Sequence, residues 1–304
     1  MMQRLTPAIT GSEARRSESI LIVGLVRNGA GKIIPDVMRM QAAVRCFARV
    51  HWLLVESDSE DNSILELQDL CKRIENFRFI SMGSLRGKFP LRTDRIAACR
   101  NAYLDEVKSN QAYEHVDFVI AADFDGINTL ISEDAIVSCW DRSDWSVCTA
   151  NQAGPYYDIL ALRHATWCPI DCIAGYQFLV KYGVKPEKAL QAAVHSRMIT
   201  IPKDSHWIEV DSAFGGVAIY KKSSIINGTY RGLTTDGCEV CEHVQLHAEI
   251  RANGGKIFIN PRLINASYTE HTVHLKLHRK MIRMFKNLSK LIFRTLVPDK
   301  SAAM

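Results

Sequence analysis

The sequence predicts an α/β protein with a Rossmann-like, mostly parallel sheet flanked by helices. Between residues 19 and 125, apolar runs typical of buried strands alternate with segments whose apolar residues recur at helical spacing. That alternation indicates parallel strands joined by right-handed helical crossovers. Acidic side chains follow two of these strands. A composition of 47% hydrophobic and 23% charged residues over 304 positions is that of a globular chain, and it excludes disordered and fibrous classes.

Apolar periodicity places the elements of the first half. We predict strands at residues 19–26, 51–55 and 77–81, and helices at residues 33–47, 64–74 and 92–108. Pro35 is tolerated because it falls in the first turn of its helix. The polar residues 56–63 follow the second strand and cap the next helix.

The stretch Val116 to Asn128 carries the strongest functional signal. Its apolar run predicts a strand buried on both faces, which stops at Asp123 and Asp125. In extended chain these two carboxylates point to one face and Phe124 to the other. At ~4 Å their repulsion is about 4 kcal/mol at an effective dielectric near 20, and a shared Mn²⁺ or Mg²⁺ would reverse its sign. A simple acidic turn is the alternative interpretation.

The second half is less regular. Ser132 is expected to cap a short helix, an aromatic loop spans residues 151–169, and the segment to about residue 201 is predicted to be helical. We predict strands at residues 145–150, 206–210, 216–220 and 256–260, and a helix at residues 242–252 ended by two glycines.

Charge and cysteine content narrow the class of partner and the compartment. The net charge is +5, and eight Lys/Arg with one acid lie from residue 274 to the end, so the body is nearly neutral and we predict no nucleic-acid partner. We expect no signal peptide in the polar leader, residues 1–18. Nine scattered cysteines predict reduced thiols in a cytoplasm. Half of a zinc site at Cys238, Cys241 and His243, completed by Cys168 and Cys172, is a weaker hypothesis.

Several short motifs then carry a family resemblance. They are Glu56-Ser57-Asp58-Ser59-Glu60-Asp61, Arg95 with Arg100-Asn101, Asp123-Phe124-Asp125 and Tyr157-Asp158. In this order and spacing the chain resembles a GT-A glycosyltransferase with a D-x-D motif, in particular the fungal capsular α-1,3-mannosyltransferase family and related polysaccharide-biosynthesis enzymes. The likeness covers about residues 20–163. It implies a GT-A domain at residues 19–273, with a nucleotide-sugar half (19–150) and an acceptor half (151–273).

The resemblance implies roles for these residues. Asp123 and Asp125 would hold Mn²⁺ or Mg²⁺ against the donor diphosphate, and His271 resembles a further C-terminal metal ligand, with an ordinary surface histidine as the alternative. The expected nucleotide-sugar-binding residues are Arg27, Glu56, Ser57, Asp58, Arg95, Arg100 and Asp123. A solvated helix face is the alternative for the arginines.

For an acceptor base, or a group that stabilises oxocarbenium charge, we choose Glu242, with Asp211 and Asp158 in reserve. A helix-capping glutamate is the alternative for Glu242. The predicted function is metal-dependent transfer of a sugar from a GDP- or UDP-sugar, GDP-mannose among them, to a glycan or lipid-linked glycan acceptor in surface polysaccharide or lipopolysaccharide synthesis. The alternatives are a sugar-nucleotide or CMP transferase, and a non-catalytic membrane-bound glycan-binding protein of the same fold.

Residues 274–304 are predicted to form a basic amphipathic C-terminal helix. Seven cations and no acid lie between residues 276 and 294, opposite an apolar stripe. This pattern suits an anionic membrane surface, contacted through residues 274–297, and packing of the stripe onto the body is the alternative. We therefore expect a cytoplasmic protein that is peripheral on the inner face of the cell membrane.

Overall fold

A computed structural model describes residues 16–273 and residue 275. Most of the predicted leader and nearly all of the predicted C-terminal helix lie outside the described residues. Residue contacts divide the chain into two compact units, residues 1–267 and residues 268–304. The sheet and the helices that flank it belong to the first unit.

The strands and helices alternate through the first half. The strands are β1 Arg16–Val26, β2 Phe47–Glu56, β3 Phe77–Ser81 and β4 Phe118–Asp123. The helices are α1 Ile33–Ala43, α2 Ser63–Arg73, α3 Arg92–Ser109 and the short α4 Glu133–Val137. As expected, the Oγ of Ser132 caps α4 by accepting the N–H of Ala135 at 3.2 Å.

The second half contributes shorter elements. Its strands are β5 Val147–Gln152, β6 Ile208–Val210, β7 Val217–Lys221 and β8 Ile257–Ala266. Its helices are α5 Cys172–Lys181, α6 Pro186–Ala193, α7 Lys222–Ile225 and α8 Glu242–Ala252.

All eight strands form one sheet in the order β3-β2-β1-β4-β7-β5-β8-β6. The strands β1 to β4 pair in parallel, and β5 pairs in parallel with β8. Only β7 and β6 run antiparallel to their neighbours among the described strands. The predicted class, α/β with a mostly parallel sheet flanked by helices, is therefore confirmed.

The centre of the sheet is buried on both faces, as the apolar runs predict. Residues 119–122 in β4 are fully buried, and so are residues 20–23 in β1. Gly24 lies beside them because Phe124 needs its space: a Cβ at position 24 would lie 2.4 Å from Phe124 Cε2. The ring that the sequence directs away from the two aspartates is thus 3% exposed and belongs to the core.

Two element predictions were wrong at their ends. Helix α1 ends at Ala43, whereas Phe47, expected at its end, begins β2 and packs on Trp140 with ring centroids 5.2 Å apart. Strand β8 continues through Pro261 to Ala266 instead of stopping at residue 260. Proline is tolerated there because its pairing with β5 shifts register around Asn151.

No helix in the part of the chain that the structure describes combines the length and the apolar character of a membrane span.

Candidate functional site

Three neighbouring parallel strands end at the same edge of the sheet. Val26 of β1 pairs with Glu56 of β2, and Leu25 of β1 pairs with Asp123 of β4. The polar residues that follow these strands therefore meet along one edge. This edge, outside the carboxyl ends of parallel strands, is where open α/β sheets bind ligands.

The loop after β4 presents the two predicted metal-binding aspartates differently. Asp123 is held by its backbone, since its N–H donates to Gly216 O at 3.0 Å. Asp125 is exposed, and its Oδ1 accepts the N–H of Ile127 at 3.2 Å, which closes a local turn. The next residue, Gly126, donates its N–H to Asp36 Oδ2 at 2.7 Å and so ties the turn to α1.

Negative charge is concentrated around Asp123. The carboxylates of Asp125, Asp158 and Glu242 all act on it electrostatically, and the nearest cation, Arg100, lies 3.7 Å from its Oδ1. The Asp123 side chain is 31% accessible. The partial loss of its hydration in the folded protein raises its pKa to about 8. Arg100 lowers this pKa, while the three neighbouring acids raise it.

The Arg100 guanidinium joins three elements. Its Nε donates to Glu242 Oε1 at 2.7 Å, which links α3 to the first residue of α8. Its Cζ lies 5.0 Å from the centre of the Phe214 ring. Arg100 and Glu242 are both buried, at 4% and 5% exposure. Burial alone would lower the pKa of Arg100, but Tyr103, Glu242 and other neighbours raise it well above its ordinary value. Arg100 is therefore a fixed cation at the end of β4.

The donor set at this edge suits a hard divalent cation. Within the described residues no group of three or more His, Cys, Asp or Glu side chains is arranged to hold a metal ion by itself. Mg²⁺ and similar ions, however, are commonly held by one or two carboxylates together with substrate phosphates. Asp123 and Asp125 fit that mode because the charge of Asp125 disfavours a second charge on Asp123, which a bound cation would relieve. The zinc hypothesis is wrong for the same described residues: Cys238 is exposed whereas Cys241 is buried.

A second cluster lies at the end of β2. Asp58 is 9% exposed and has a φ of 56°, and its Oδ1 accepts the N–H groups of Leu85 and Arg86 at 3.0 and 3.2 Å. Its buried Oδ2 has no hydrogen-bond partner among the described residues. Burial raises the pKa of Asp58, but the two N–H groups and the charges of Arg95 and Arg27 bring it below its usual value. The structure thus brings Arg27, Asp58 and Arg95 together.

The neighbours of Asp58 are more internal than expected. Glu56 is 1% exposed, and its two carboxylate oxygens accept the Ser59 N–H at 3.0 Å and the Ser81 hydroxyl at 2.5 Å. The Oγ of Ser57 lies 3.3 Å from Cys99 Sγ. Both side chains are therefore committed to bracing the loop, and their contact with a nucleoside stays a prediction.

In the loop after β1, the backbone N–H groups of residues 28–31 are not free to bind a phosphate. Four consecutive backbone N–H groups donate to side chains of the loop after β2 and of α2. The pairs are Asn28 to Ser59 Oγ (3.1 Å), Gly29 to Ser63 Oγ (2.8 Å), Ala30 to Asp61 Oδ2 (3.0 Å) and Gly31 to Glu66 Oε1 (2.6 Å). Because these four N–H groups already have acceptors, the loop has a structural role and connects the ends of β1 and β2.

The loop after β5 contacts the backbone that precedes β7. Asp158 Oδ2 accepts the N–H of Gly215 at 2.9 Å. The next residue, Gly216, has a φ of 89°, and a Cβ there would lie 2.8 Å from the Tyr157 hydroxyl. The paired glycines therefore let the backbone before β7 approach both β4 and the loop that carries Tyr157.

Sequence reasoning missed the amide side chains that brace this approach. Asn128 Nδ2 donates to Asp123 O at 2.7 Å, and Asn265 Nδ2 donates to Asn128 Oδ1 and Gly215 O, both at 2.7 Å. Gln152 Nε2 donates to Asn265 Oδ1 at 3.1 Å. Tyr157 was also missed as a site residue, although its hydroxyl pKa is raised by burial and then by Asp123 and Asp158. Its place beside Asp158 in a recognised motif was the one available signal.

Behind the Arg100–Glu242 pair lies a buried network of histidine and tyrosine. The Tyr220 hydroxyl is 3.2 Å from His243 Nδ1 and 2.9 Å from His247 Nε2, and Ser212 Oγ is 2.9 Å from His247 Nδ1. His243 Nε2 lies 3.6 Å from Glu242 Oε1. Burial, and then Arg100, lower the pKa of His247 to about 3 and that of His243 well below its usual value. Both imidazoles are therefore neutral.

Two predicted site residues, Asp211 and His271, have charged neighbours of their own. Asp211 pairs with Arg251 at 2.6 Å, near the end of α8, whereas Glu242 begins that helix, and the reserve role of Asp211 stays a prediction. The sequence does not show how far apart Asp211 and Glu242 lie. A helix of 11 residues separates its two ends by roughly 15 Å. His271 lies in the second unit, with Nε2 3.7 Å from Glu270 Oε1, and its role as a metal ligand stays a prediction.

Comparisons with known proteins give structural likenesses only. No protein-family model matches the chain, and no curated protein sequence matches it. A mannosyltransferase from Pyrobaculum calidifontis, solved with GDP-Man and Mn²⁺, is similar at TM-score 0.48 and 11% identity over 95% of this chain and 68% of that one. TarS from S. aureus is similar at 0.44 and 10% identity, over 83% of this chain and 60% of that one.

A third similar structure is glucosyl-3-phosphoglycerate synthase from Mycobacterium tuberculosis with uridine-diphosphate. Its TM-score is 0.41 at 11% identity, over 82% of this chain and 69% of that one. Because all three scores are below 0.5, these likenesses carry no weight for the function of this chain, which must be inferred from the residues at the edge of its own sheet.

Proposed function

We propose that this protein is a metal-dependent glycosyltransferase of the GT-A type, which transfers a sugar from a nucleotide-sugar donor to a glycan or lipid-linked glycan. One observation carries the proposal: the carboxylates of Asp125, Asp158 and Glu242 all act on Asp123 at the carboxyl edge of the sheet, and the buried cation Arg100 lies beside it. Such an excess of negative charge favours a divalent cation with a bound diphosphate.

In this proposal Asp123 and Asp125 hold Mn²⁺ or Mg²⁺. A metal held there would supply Lewis-acid chemistry, which suits a nucleoside diphosphate leaving group. Arg100 keeps Asp123 in place through a contact of 3.7 Å, and the Asn128 amide fixes the backbone carbonyl of the same residue. Asp125 is exposed and so meets the ligand side of the edge.

The nucleoside binds at the end of β2. Asp58 offers a buried carboxylate oxygen without a described partner, which suits a donor N–H or O–H of the ligand. Arg27 and Arg95 place positive charge near it. Arg95 is held in position because its Nη1 donates to the carbonyls of Phe89 and Pro90 at 2.8 and 2.7 Å.

The acceptor binds on the side of Tyr157 and Asp158. Asp158 is the acidic group there that we assign to the acceptor hydroxyl if transfer inverts, or to developing oxocarbenium charge if it retains. Glu242 is committed to Arg100 at 2.7 Å and is 5% exposed, so we assign it a positioning role through that arginine. This modifies the expectation that Glu242 itself takes the proton.

The finer assignment follows the sequence resemblance. GDP- and UDP-sugars are the donors to test, with GDP-mannose first, and surface polysaccharide or lipopolysaccharide synthesis is the proposed pathway. Residues 274–297 would contact an anionic membrane surface on its cytoplasmic side, which would bring a lipid-linked acceptor to the enzyme.

The sugar-nucleotide or CMP transferase alternative is less favoured. It needs a phosphate-binding loop after β1, and the amides of residues 28–31 are already engaged by side chains. A non-catalytic glycan-binding protein would have no use for the concentration of carboxylates around Asp123, because like charges placed close together repel one another.

A panel of UDP- and GDP-sugars tests the proposal. Nucleotide release is measured with Mn²⁺, with Mg²⁺ and with EDTA, in the presence and absence of a glycan acceptor mixture. We expect one donor to release nucleoside diphosphate only with metal. Release of inorganic pyrophosphate on supplying a sugar phosphate and a nucleoside triphosphate would instead support the sugar-nucleotide transferase. Glycan binding without turnover of any donor would support the non-catalytic alternative.

A further inference from the structure

Helices α5 and α6 form an insertion whose outer face is unusually apolar. Of the ten residues of α5, only Cys172 is buried. The helix meets α6 through small residues, since a Cβ at Gly175 would lie 3.8 Å from Ala193 Cβ. The rest of α5 therefore contributes little to the core.

An apolar stripe runs along the exposed side of α5. It consists of Ala174 and Phe178, which are neighbours on the surface of α5, with Ile170 just before the helix and Tyr182 just after it, and all four are exposed. Ile170 is 56% exposed, Phe178 61% and Tyr182 69%, and the two rings are 4.7 Å apart. Large side chains exposed in a row mark an interaction surface more often than chance exposure does.

The rim of the stripe is basic. Lys181 lies within it, Lys185 follows it and Lys188 lies in α6. All three are exposed, and Glu187 is the one acid in residues 172–199. Asp171, which caps the start of α5, is already paired with Arg163. The surface thus combines an apolar, partly aromatic centre with a positive margin.

We propose that this stripe and its lysines dock on an anionic lipid bilayer, with α5 lying in the plane of the interface. Helices that do so carry Phe, Tyr or Leu on one face and Lys or Arg beside them, and they bury the apolar face only at the headgroup boundary. A second copy of the chain is disfavoured, because a stable protein interface needs about 20 to 30 residues on each side and the stripe has four.

The insertion that carries this surface is connected to the candidate site. Both ends of the insertion are tied to the loop that carries Tyr157 and Asp158. At the start, Arg163 pairs with Asp171, and at the end the N–H of Tyr156 donates to Ile199 O at 2.8 Å. A bilayer on the stripe would therefore lie next to the acceptor side of the site. The docking surface does not depend on the proposed transferase activity.

Flotation of the full-length chain with lipid vesicles tests the proposal. Vesicles of phosphatidylcholine mixed with phosphatidylglycerol are compared with pure phosphatidylcholine, at low and high salt. We expect Phe178→Ser with Tyr182→Ser to lower the partition coefficient on the anionic vesicles at least about tenfold. Lys181→Gln and Lys185→Gln should lower it about fivefold each and reduce its salt dependence.

The matched control is Leu65→Ser, because Leu65 is 62% exposed on α2, away from the stripe. This variant should bind vesicles as the parent does. Residues 276–304 are the same in every variant. A difference in partition coefficient between two variants is therefore due to the substituted side chains. Nucleotide release without vesicles should be unchanged in all variants, which separates a failure here from a failure of the proposed activity.

Three outcomes would overturn the proposal. The first is equal binding of the parent and the aromatic double variant to anionic vesicles. The second is equal binding of the parent to neutral and anionic vesicles. The third is a parent that sediments as a dimer while the double variant is a monomer, which would make the stripe an interface between copies.

Discussion

Two loops leave the same edge of the sheet after the neighbouring parallel strands β1 and β4, and they treat their polar groups in opposite ways. In the loop after β1, each amide from residue 28 to residue 31 donates to a side chain of the next strand's loop or helix. In the loop after β4, the carboxylates of Asp123 and Asp125 face other carboxylates. Polar residues at a strand end thus either stabilise the fold or remain available to a ligand. The two cases differ in whether the polar groups already have partners of opposite polarity within the protein.

The largest expected effect comes from the second loop. Asp125→Asn should lower metal-dependent donor turnover about a thousandfold, because a lost ligand charge removes several kcal/mol of stabilisation of the developing diphosphate. Steady-state nucleotide release measures it, and the melting temperature should stay that of the parent because the side chain is exposed. Full turnover in the variant, or turnover of the parent in EDTA, would remove Asp125 from the metal site.

The next effect tests how the crowded edge is held together. Glu242→Gln should lower the free energy of unfolding by about 3 kcal/mol, because among the described carboxylates it leaves the buried guanidinium of Arg100 with the longer 3.7 Å contact to Asp123 as its ion pair. Urea denaturation measures it. The control is Glu249→Gln on the same helix, which is only half-buried and should cost less.

A double-mutant cycle separates a positioning role from a simple loss of packing. Arg100→Met combined with Glu242→Gln should cost less than the sum of the two single variants, since the second change removes no pair. Additive costs would mean that the two side chains do not depend on each other, and Glu242 would return to consideration as a proton acceptor.

A pH effect is expected from the neutral network behind the edge. His247 has a folded pKa of about 3 against an ordinary value of 6.5, so only the unfolded chain takes up its proton between these values. Stability that is complete above pH 6.5 is therefore lost as the pH falls towards 3, and at pH 5 the loss from this residue is about 2 kcal/mol. Unfolding free energies of the parent and of His247→Gln at pH 7 and pH 5 test this. An identical loss in both proteins would contradict it.

The smallest effect belongs to the first loop and completes the comparison. Asp61→Asn makes the same chemical change as Asp125→Asn, but it affects a carboxylate that accepts the N–H groups of Ala30 and Ser63, both at 3.0 Å. It should lower the free energy of unfolding by about 1 kcal/mol and leave donor turnover within about twofold. A large loss of turnover in this variant would show that the loop after β1 belongs to the ligand site after all.

How much of the site was predictable depends on sequence distance. The strand to Asp123 and the turn at Asp125 could be predicted because a buried apolar run and its polar end are local signals. The pairing of Arg100 with Glu242 spans 142 positions, and no local pattern reports it. Glu242 was therefore given a proton-transfer role that its buried ion pair does not favour.

The bracing amides were missed for a different reason. Asn128, Gln152 and Asn265 follow no periodicity, and isolated amides are ordinary in loops and at strand ends. Their function depends on carbonyl groups that only the fold brings within reach, such as Gly215 O. The fold class, by contrast, was predictable because alternating strands and helices repeat the same signal several times.

The position of β7 has a consequence for how the chain is made. Strand β4 is complete at residue 123, but the antiparallel strand that pairs with its outer edge comes only at residues 217–221. During synthesis the chain before residue 217 therefore emerges from the ribosome with an unpaired, apolar edge strand, which is a template for aggregation. Only when β7 arrives, and brings Gly216 against Asp123, is that edge closed. A nascent chain that stalls before residue 217 therefore keeps this edge of β4 unpaired and is prone to aggregate.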